Sequence, residues 1–215
     1  IQNKKKILCI FLTQSGETID VYKCLNICKN EGCITLGLVN KVDSLIAREV
    51  DCGVYLNCGS EISVASTKSF TSMLIILSLI EMWFNINFYN IKKINCLRSL
   101  SGTLTSFLYD FEFLKSLENI SNFICNNSIT SIFILGKNKL YPVACEGALK
   151  IKEVTYIHAE GFSAGSLKHG PFALLDKTNL SILLIDYNEK HNYLNLKSTY
   201  YEIKGRETNI ITITN

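Results

Sequence analysis

The sequence is poor in proline and in charge, and it lacks the short signatures that would fix a chemistry at once. Two prolines in 215 residues rule out a proline-rich linker, and 19% charged against 47% hydrophobic residues rules out a disordered chain. No C-x-x-C pair occurs among the nine cysteines. The chain is too long and too apolar to need a disulfide scaffold, so free buried thiols in a reducing compartment are expected. Cys24 and Cys28 stand four apart on an expected helix, but no second pair or neighbouring His completes a zinc set. The three histidines, His158, His169 and His191, form no cluster with acidic residues at metal-ligand spacing, and no G-x-S-x-G or Cys–His signature is present. Metal catalysis and nucleophilic hydrolysis are therefore disfavoured, and neither a metal nor a cofactor is expected. The longest apolar run, Met73 to Phe84, is interrupted by Ser78 and Glu81 and falls short of the ~20 residues a bilayer span requires, so no membrane role is expected. The basic start has no apolar run and cleavage site behind it, which argues against a signal peptide and for a cytoplasmic protein. The formal charge of +3 comes from scattered lysines, and Lys4-Lys5-Lys6 reads as a solvated strand edge rather than a nucleic-acid contact. Because Ile1 is not an initiator Met, the chain is expected to begin inside a longer protein.

What is present is an alternation of strands and helices. Ile7 to Leu12 is a continuous apolar run of buried-strand type, followed by a polar loop, an amphipathic helix from Thr18 to Asn30 stopped by Gly32, and a strand from Cys33 to Leu38. A short strand near Val54 to Leu56 leads to an apolar helix from about Ser66 to Phe84. The order recurs: strand Ser181 to Ile185, loop Asp186 to His191, helix Tyr193 to Ile203, a stop at Gly205, and strand Asn209 to Ile213. Two βαβ units of matching order imply duplication of an open α/β sheet. The second copy has a further strand, Ser131 to Leu135, and a helix from near Pro142 ahead of it. Only twelve residues precede Thr13, so by repeat logic the first copy is expected to lack about forty residues at its start. The second copy conversely is expected to lack a counterpart of the first copy's chain beyond Asn40. The expected division is a first subdomain over residues 1–90, a connector with a helix (Phe111 to Asn126) over 91–127, and a second subdomain over 128–215.

The loop T-Q-S-G-E-T, Thr13 to Thr18, lies where a strand ends and a helix begins. N–H groups of a first helical turn have no intrahelical partner and carry the positive end of the helix dipole. Hydroxyls of Thr13, Ser15 and Thr18 and the amide of Gln14 add donors suited to a phosphate, at the carboxyl end of a strand where open sheets bind ligands. The alternative is an ordinary helix cap by Ser15 or Thr18. The matching loop of the second copy, D-Y-N-E-K-H, is acidic and would repel phosphate, so one site per chain is expected, in the first half. A second hydroxyl-rich segment, Ser60 to Phe70, either caps the long helix through Ser66 and Thr67 or lines the sugar side of the same pocket.

Glu146, Lys150 and Glu153 fall at i, i+4 and i+7 on an expected helix and form one stripe. A surface salt-bridge ladder is one reading. The other is acid–base chemistry, favoured by the apolar residues among and just after them (Leu149, Ile151, Val154), which predict a well-buried helix. His169, in G-S-L-K-H-G-P, sits in a Gly- and Pro-bounded loop able to aim an imidazole.

These motifs together resemble a known family. T-Q-S-G-E-T at 13–18, D-S-L-I-A-R-E-V-D at 43–51, E-I-S-V-A-S-T-K-S-F at 61–70 and the long segment from Tyr141 to Pro171 are similar to the isomerase half of the isomerising glutamine–fructose-6-phosphate aminotransferases, which is built of two SIS (sugar isomerase) subdomains. Residues 85–128 and 186–209 match in pattern only. The resemblance implies an α/β fold of two three-layer, flavodoxin-like subdomains, each an open, mostly parallel sheet flanked by helices, the first without its N-terminal part and the second without its C-terminal part. It further implies conversion of fructose 6-phosphate and glutamine-derived ammonia to glucosamine 6-phosphate. On that basis Thr13, Gln14, Ser15 and Thr18 hold the phosphate, and Val64 and Ser66 contact the sugar. Glu153 is the base that moves a proton between the first two sugar carbons, with Lys150 and Glu146 beside it. His169 assists ring opening in a neighbouring subunit's site, so the implied partners are a sugar phosphate, a glutaminase domain and a second copy of the chain.

The family's glutaminase domain, its first strand with a Cys-Gly-Thr-Ser-type loop, and its C-terminal tail with a Schiff-base lysine have no counterpart here. The resemblance therefore implies a partial site, inactive alone. Two other classes share the architecture: an SIS isomerase or amino-sugar deaminase without a glutaminase, and a non-enzymatic sugar-phosphate-binding regulator. The latter needs the phosphate loop but not E-G-A-L-K-I-K-E or K-H-G-P.

Overall fold

A computed structural model describes residues 7–85 and 90–215, so the Lys4-Lys5-Lys6 run lies outside the described residues. The chain forms two units, residues 1–103 and 104–215.

In the first unit, strands β1 (Leu8–Thr13), β2 (Ile34–Val39) and β3 (Cys52–Tyr55) make a parallel sheet in the order β1-β2-β3, with Leu8 opposite Ile34 and Leu36 opposite Cys52. Alternation along β2 builds a core on each face. Val39, with Phe11, packs against Leu25 of α1 (Ile19–Asn30) and Ile46 of α2 (Leu45–Glu49). Leu36 and Leu38 pack with Leu56 against Met73, Ile76, Leu77 and Ile80 of α3 (Lys68–Phe84). Helix α1 ends as expected at Gly32, whose φ of +72° lets the Cys33 N–H return to Cys28 O at 2.9 Å. Asp51 closes the far end of the sheet by accepting from the N–H and the hydroxyl of Thr35, both at 2.8 Å.

Helix α4 (Ile91–Leu108) runs across the division between the units, and α5 (Phe111–Asn126) follows it. The second unit continues with β4 (Ser131–Gly136), α6 (Leu140–Thr155), β5 (His158–Ser163), β6 (Asn179–Ile185), α7 (Lys190–Lys204) and β7 (Asn209–Thr214). Its sheet is parallel throughout in the order β5-β4-β6-β7. Renumbered within the unit this is 2-1-3-4, the flavodoxin-like doubly wound order. The pair β6-α7-β7 repeats β1-α1-β2, so the first sheet presents the counterparts of strands 3, 4 and 5. Phe133, Leu135, Leu183 and Ile185 pack on α7 through Leu196 and Ile203, and Ile132, Ile134 and Leu180 pack on Ala144 and Ala148 of α6.

Three elements differ from expectation. Helix α4 was not expected, although Ile91, Ile94, Leu97, Leu100 and Leu104 carry helical spacing. Helix α2 is a single turn, too short for periodicity to show. Strand β5, H-A-E-G-F-S, is an edge strand of mixed polarity whose extension is imposed by pairing with β4. A fourth correction concerns α6, which is not buried all round. Its alanines face the sheet, while Leu149 and Val154 are 41% and 62% exposed.

Small residues on both sides allow α6 to sit closely on β5. A β-carbon on Gly161 would lie 2.5 Å from the Cα and N of Cys145. Gly161→Ala is therefore expected to lower the unfolding free energy by about 2 kcal/mol in denaturant titration. Gly165→Ala, where a β-carbon meets nothing within 4 Å, should leave it nearly unchanged.

Candidate functional site

The loop after β1 is shaped by contacts with α2. Gly16 has φ +68°, and an added β-carbon would stand 1.9 Å from Ser44 Oγ and 2.6 Å from Ser44 Cβ. The backbone of the loop thereby meets the helix directly, and the Ile46 N–H donates to Gly16 O at 3.0 Å. The Glu17 carboxylate accepts from the Leu45 N–H at 3.0 Å, so the acid of T-Q-S-G-E-T caps α2. The sequence motif around Ser44 and the S-G-E of the loop are two halves of one clamp.

The hydroxyls then order the loop itself. Thr13 is buried, and its Oγ1 accepts from Gly16 N–H at 3.1 Å; Ser15 Oγ accepts from Glu17 N–H at 3.2 Å. Thr18 occupies the cap position of α1 with no side-chain capping bond, and the first intrahelical bond is Tyr22 N–H to Thr18 O at 3.0 Å. The ordinary-cap alternative for Thr18 is thus excluded. The first-turn N–H groups of α1 precede that first intrahelical bond, and beside them stands the Thr18 hydroxyl, free of capping.

An open cavity of about 640 Å³ runs along the carboxyl ends of β1, β2 and β3, lined by Gln14, Asn40, Lys41 and the segment from Asn57 to Glu61. Asn40 braces it, donating to Gly59 O at 2.7 Å and accepting from Cys58 N–H at 3.2 Å. Val64, 86% exposed, and the half-buried Ser66 lie just beyond on the same segment. Ser66 and Thr67 do not cap α3. Glu61 does, accepting from Thr67 N–H at 3.0 Å and Ser69 N–H at 2.9 Å, and the Ser69 bond, with weaker help from Thr67 and Lys68, holds its pKa below the usual carboxylate value.

The corresponding loop of the second unit is filled from within. Lys139 places its ammonium 2.9 Å from both Asp186 Oδ2 and Glu189 Oε1, and Asn215 donates to Asp186 at 2.8 Å. The Lys139 hydrogen bond, then those of Asn215 and the Asn188 N–H, draw the pKa of Asp186 down to about 2.

On α6 the three predicted residues of the stripe meet. Lys150 Nζ lies 2.7 Å from Glu153 Oε2 and 3.5 Å from Glu146 Oε1, all three half-buried. Burial alone would depress the ammonium's pKa, but the Glu153 bond and the charges of both carboxylates outweigh it, and the net shift is upward. Lys150 is therefore a held cation and donor between the two acidic side chains. His169 is exposed on the turn between two short 3-10 segments, 164–166 and 171–174. The turn that carries it is anchored by its neighbours: Leu167 is fully buried in the core against α7, and Lys168 pairs with Glu202 of α7 at 2.8 Å. Among the described residues no hydrogen bond or ion pair joins His169 to the stripe.

Parallel sheets with a hydroxyl loop at a helix N-terminus, beyond the carboxyl ends of the strands, define an open-sheet α/β protein, a class whose ligand sites generally lie beyond the strand ends. The sequence profile of the SIS domain matches residues 3–81 and 127–215, and the chain belongs to that family. It is 42% identical over 185 residues to human glutamine–fructose-6-phosphate aminotransferase (isomerizing) 2, covering 83% of this chain and 26% of that protein. To the enzyme of the same name from Methanosarcina mazei it is 37% identical over 214 residues, covering 97% and 34%. The chain thus spans about a quarter to a third of the length of these curated relatives. Among solved structures, the C-terminal domain of glucosamine-fructose-6-phosphate aminotransferase from Francisella tularensis superposes with a TM-score of 0.84 at 28% identity, over 99% of this chain and 61% of that one. No described helix is long and apolar enough to cross a membrane, and no group of three or more His, Cys, Asp or Glu among the described residues could hold a metal ion.

A pH dependence arises from the Asp186 cluster. A carboxylate held near 2, below its ordinary value of about 3.9, stabilises the fold above pH ~4 and loses that contribution as pH falls toward 2. Denaturant midpoints measured across this window should fall less steeply for Asp186→Asn than for the parent protein, whereas parallel curves would deny the cluster a role.

Proposed function

We propose that this chain is the sugar-phosphate isomerase part of a glutamine–fructose-6-phosphate aminotransferase. The observation that carries the proposal is that relatives of this one name, at 37–42% identity, align along 83–97% of the chain, and the alignment over 97% of it spans both the hydroxyl loop and the Glu146–Lys150–Glu153 stripe. The chain is read as two SIS subdomains, 1–90 and 128–215, joined by 91–127. In this reading Thr13, Gln14, Ser15 and Thr18 seat the phosphate of fructose 6-phosphate on the first turn of α1, and Val64 and Ser66 flank the sugar. Because Lys150 is held protonated, it donates to the oxygen or nitrogen at C2 and stabilises charge there. The Glu153 carboxylate takes the proton from C1 and returns it to C2, the net change from ketose to aldose. Glu146 keeps Lys150 charged and oriented, and His169 transfers the proton that opens the sugar ring, in the site of a second subunit. Ammonia released from glutamine by a separate domain, which leaves glutamate behind, condenses with the C2 ketone before the proton transfer from C1 to C2. The C2 oxygen departs as water, and the imine becomes glucosamine 6-phosphate as the proton moves from C1 to C2 and the C1 hydroxyl proton passes to the nitrogen. The protein is further proposed to be a cytoplasmic homodimer.

Glu153→Gln removes the base while keeping a hydrogen-bonding group of the same size. The full-length variant should bind glucosamine 6-phosphate with affinity near the parent's, yet lose turnover by about 100-fold or more, a typical effect of removing a general base. Calorimetric titration paired with a product assay reads both quantities. A variant with ordinary turnover would refute the assignment of the base, and a parent protein indifferent to sugar phosphates would refute the function.

A further inference from the structure

The loop proposed to seat a phosphate brings no cation of its own. Its only charged side chain, Glu17, is turned away onto the Leu45 N–H. Dipoles and hydroxyls in a cleft open to water are weakened by solvent, and they do not neutralise a dianion.

The structure places one uncommitted cation beside the loop. Lys41 follows the end of β2, and its N–H donates to Gln14 O at 3.2 Å, which fixes its backbone against the phosphate loop. Asn40 immediately before it is tied to Cys58 and Gly59, so the side chain starts from an anchored position. Lys41 lines the same cavity as Gln14, and among the described residues its ammonium has no ion pair or hydrogen bond. The other charged groups nearby are engaged. Lys68 donates to Ser60 O at 2.8 Å, and Glu61 is occupied by the first turn of α3.

We infer that Lys41 is the cationic contact of the sugar-phosphate site, reaching the phosphate seated on Thr13–Thr18 and setting the preference for a phosphorylated over a neutral sugar. This rests on the sugar-phosphate reading above. Of the other charged groups between β2 and β3, Asp43 and Arg48 pair with each other at 3.8 Å, Glu49 pairs with Lys29 at 2.8 Å and Asp51 accepts from Thr35, which leaves Lys41 as the free charge among the described residues there.

The test is a calorimetric titration of the full-length protein with glucosamine 6-phosphate and with unphosphorylated glucosamine, each at low and high salt. Lys41 is exposed, so Lys41→Met should melt like the parent protein. It should bind glucosamine 6-phosphate about tenfold more weakly at low salt and lose most of the salt dependence, as expected for one partly solvated charge-assisted bond. Lys41→Arg should restore affinity to within about threefold. Binding of glucosamine should not change. If Lys41→Met keeps the parent's affinity and salt dependence while Thr18→Ala loses binding, the inference about Lys41 is wrong and the phosphate loop stands. If the parent protein binds no sugar phosphate, or Thr18→Ala binds like the parent, the underlying reading fails and the inference with it.

Discussion

The approach of Ser44 to Gly16 is the constraint on which the candidate site depends. No β-carbon fits at residue 16, where it would meet Ser44 Oγ at 1.9 Å, and the backbone there adopts φ +68°. With that space closed, Gly16 O can accept from the first turn of α2, and Glu17 is drawn over to cap the same helix. The acid of the loop is thereby removed from the face where an anion would sit. What remains on that face is Thr18, free of capping, and the unpaired N–H groups opening α1. A steric contact under the loop thus determines the electrostatics above it.

The duplicated loop of the second unit shows the alternative solution. Where the first copy leaves its helix N-terminus free of an internal cation, the second surrounds the equivalent place with Asp186, Glu189 and Asn215 and draws in Lys139. The same βαβ geometry is in one case available to an external anion and in the other satisfied by the chain's own ammonium. The second unit instead carries the ion-paired stripe on α6 and the braced turn with His169.

Much of this was legible in the sequence because it depends on local order. The alternation of strands and helices, the loop between β1 and α1 and the i, i+4, i+7 stripe are all set by spacing along the chain. The parallel sheets and the family emerged as expected. Contacts between distant segments were not legible. Nothing in T-Q-S-G-E-T announces that Glu17 faces Leu45, 28 residues on, or that Glu61 rather than Ser66 or Thr67 caps α3. The burial of α6 was overestimated because Leu149 and Val154 are apolar without facing their own sheet. Helix α2 and strand β5 are too short or too mixed for periodicity, and only pairing and packing define them.

The central claim is that the first loop, and not its duplicate, seats the phosphate of a sugar. The most direct measurement is a crystal structure of the full-length protein with glucosamine 6-phosphate bound. The phosphate is expected within hydrogen-bonding distance of the Ser15 and Thr18 hydroxyls and of first-turn N–H groups of α1. A phosphate found on the loop from Asp186 to His191, or away from both loops, would contradict it.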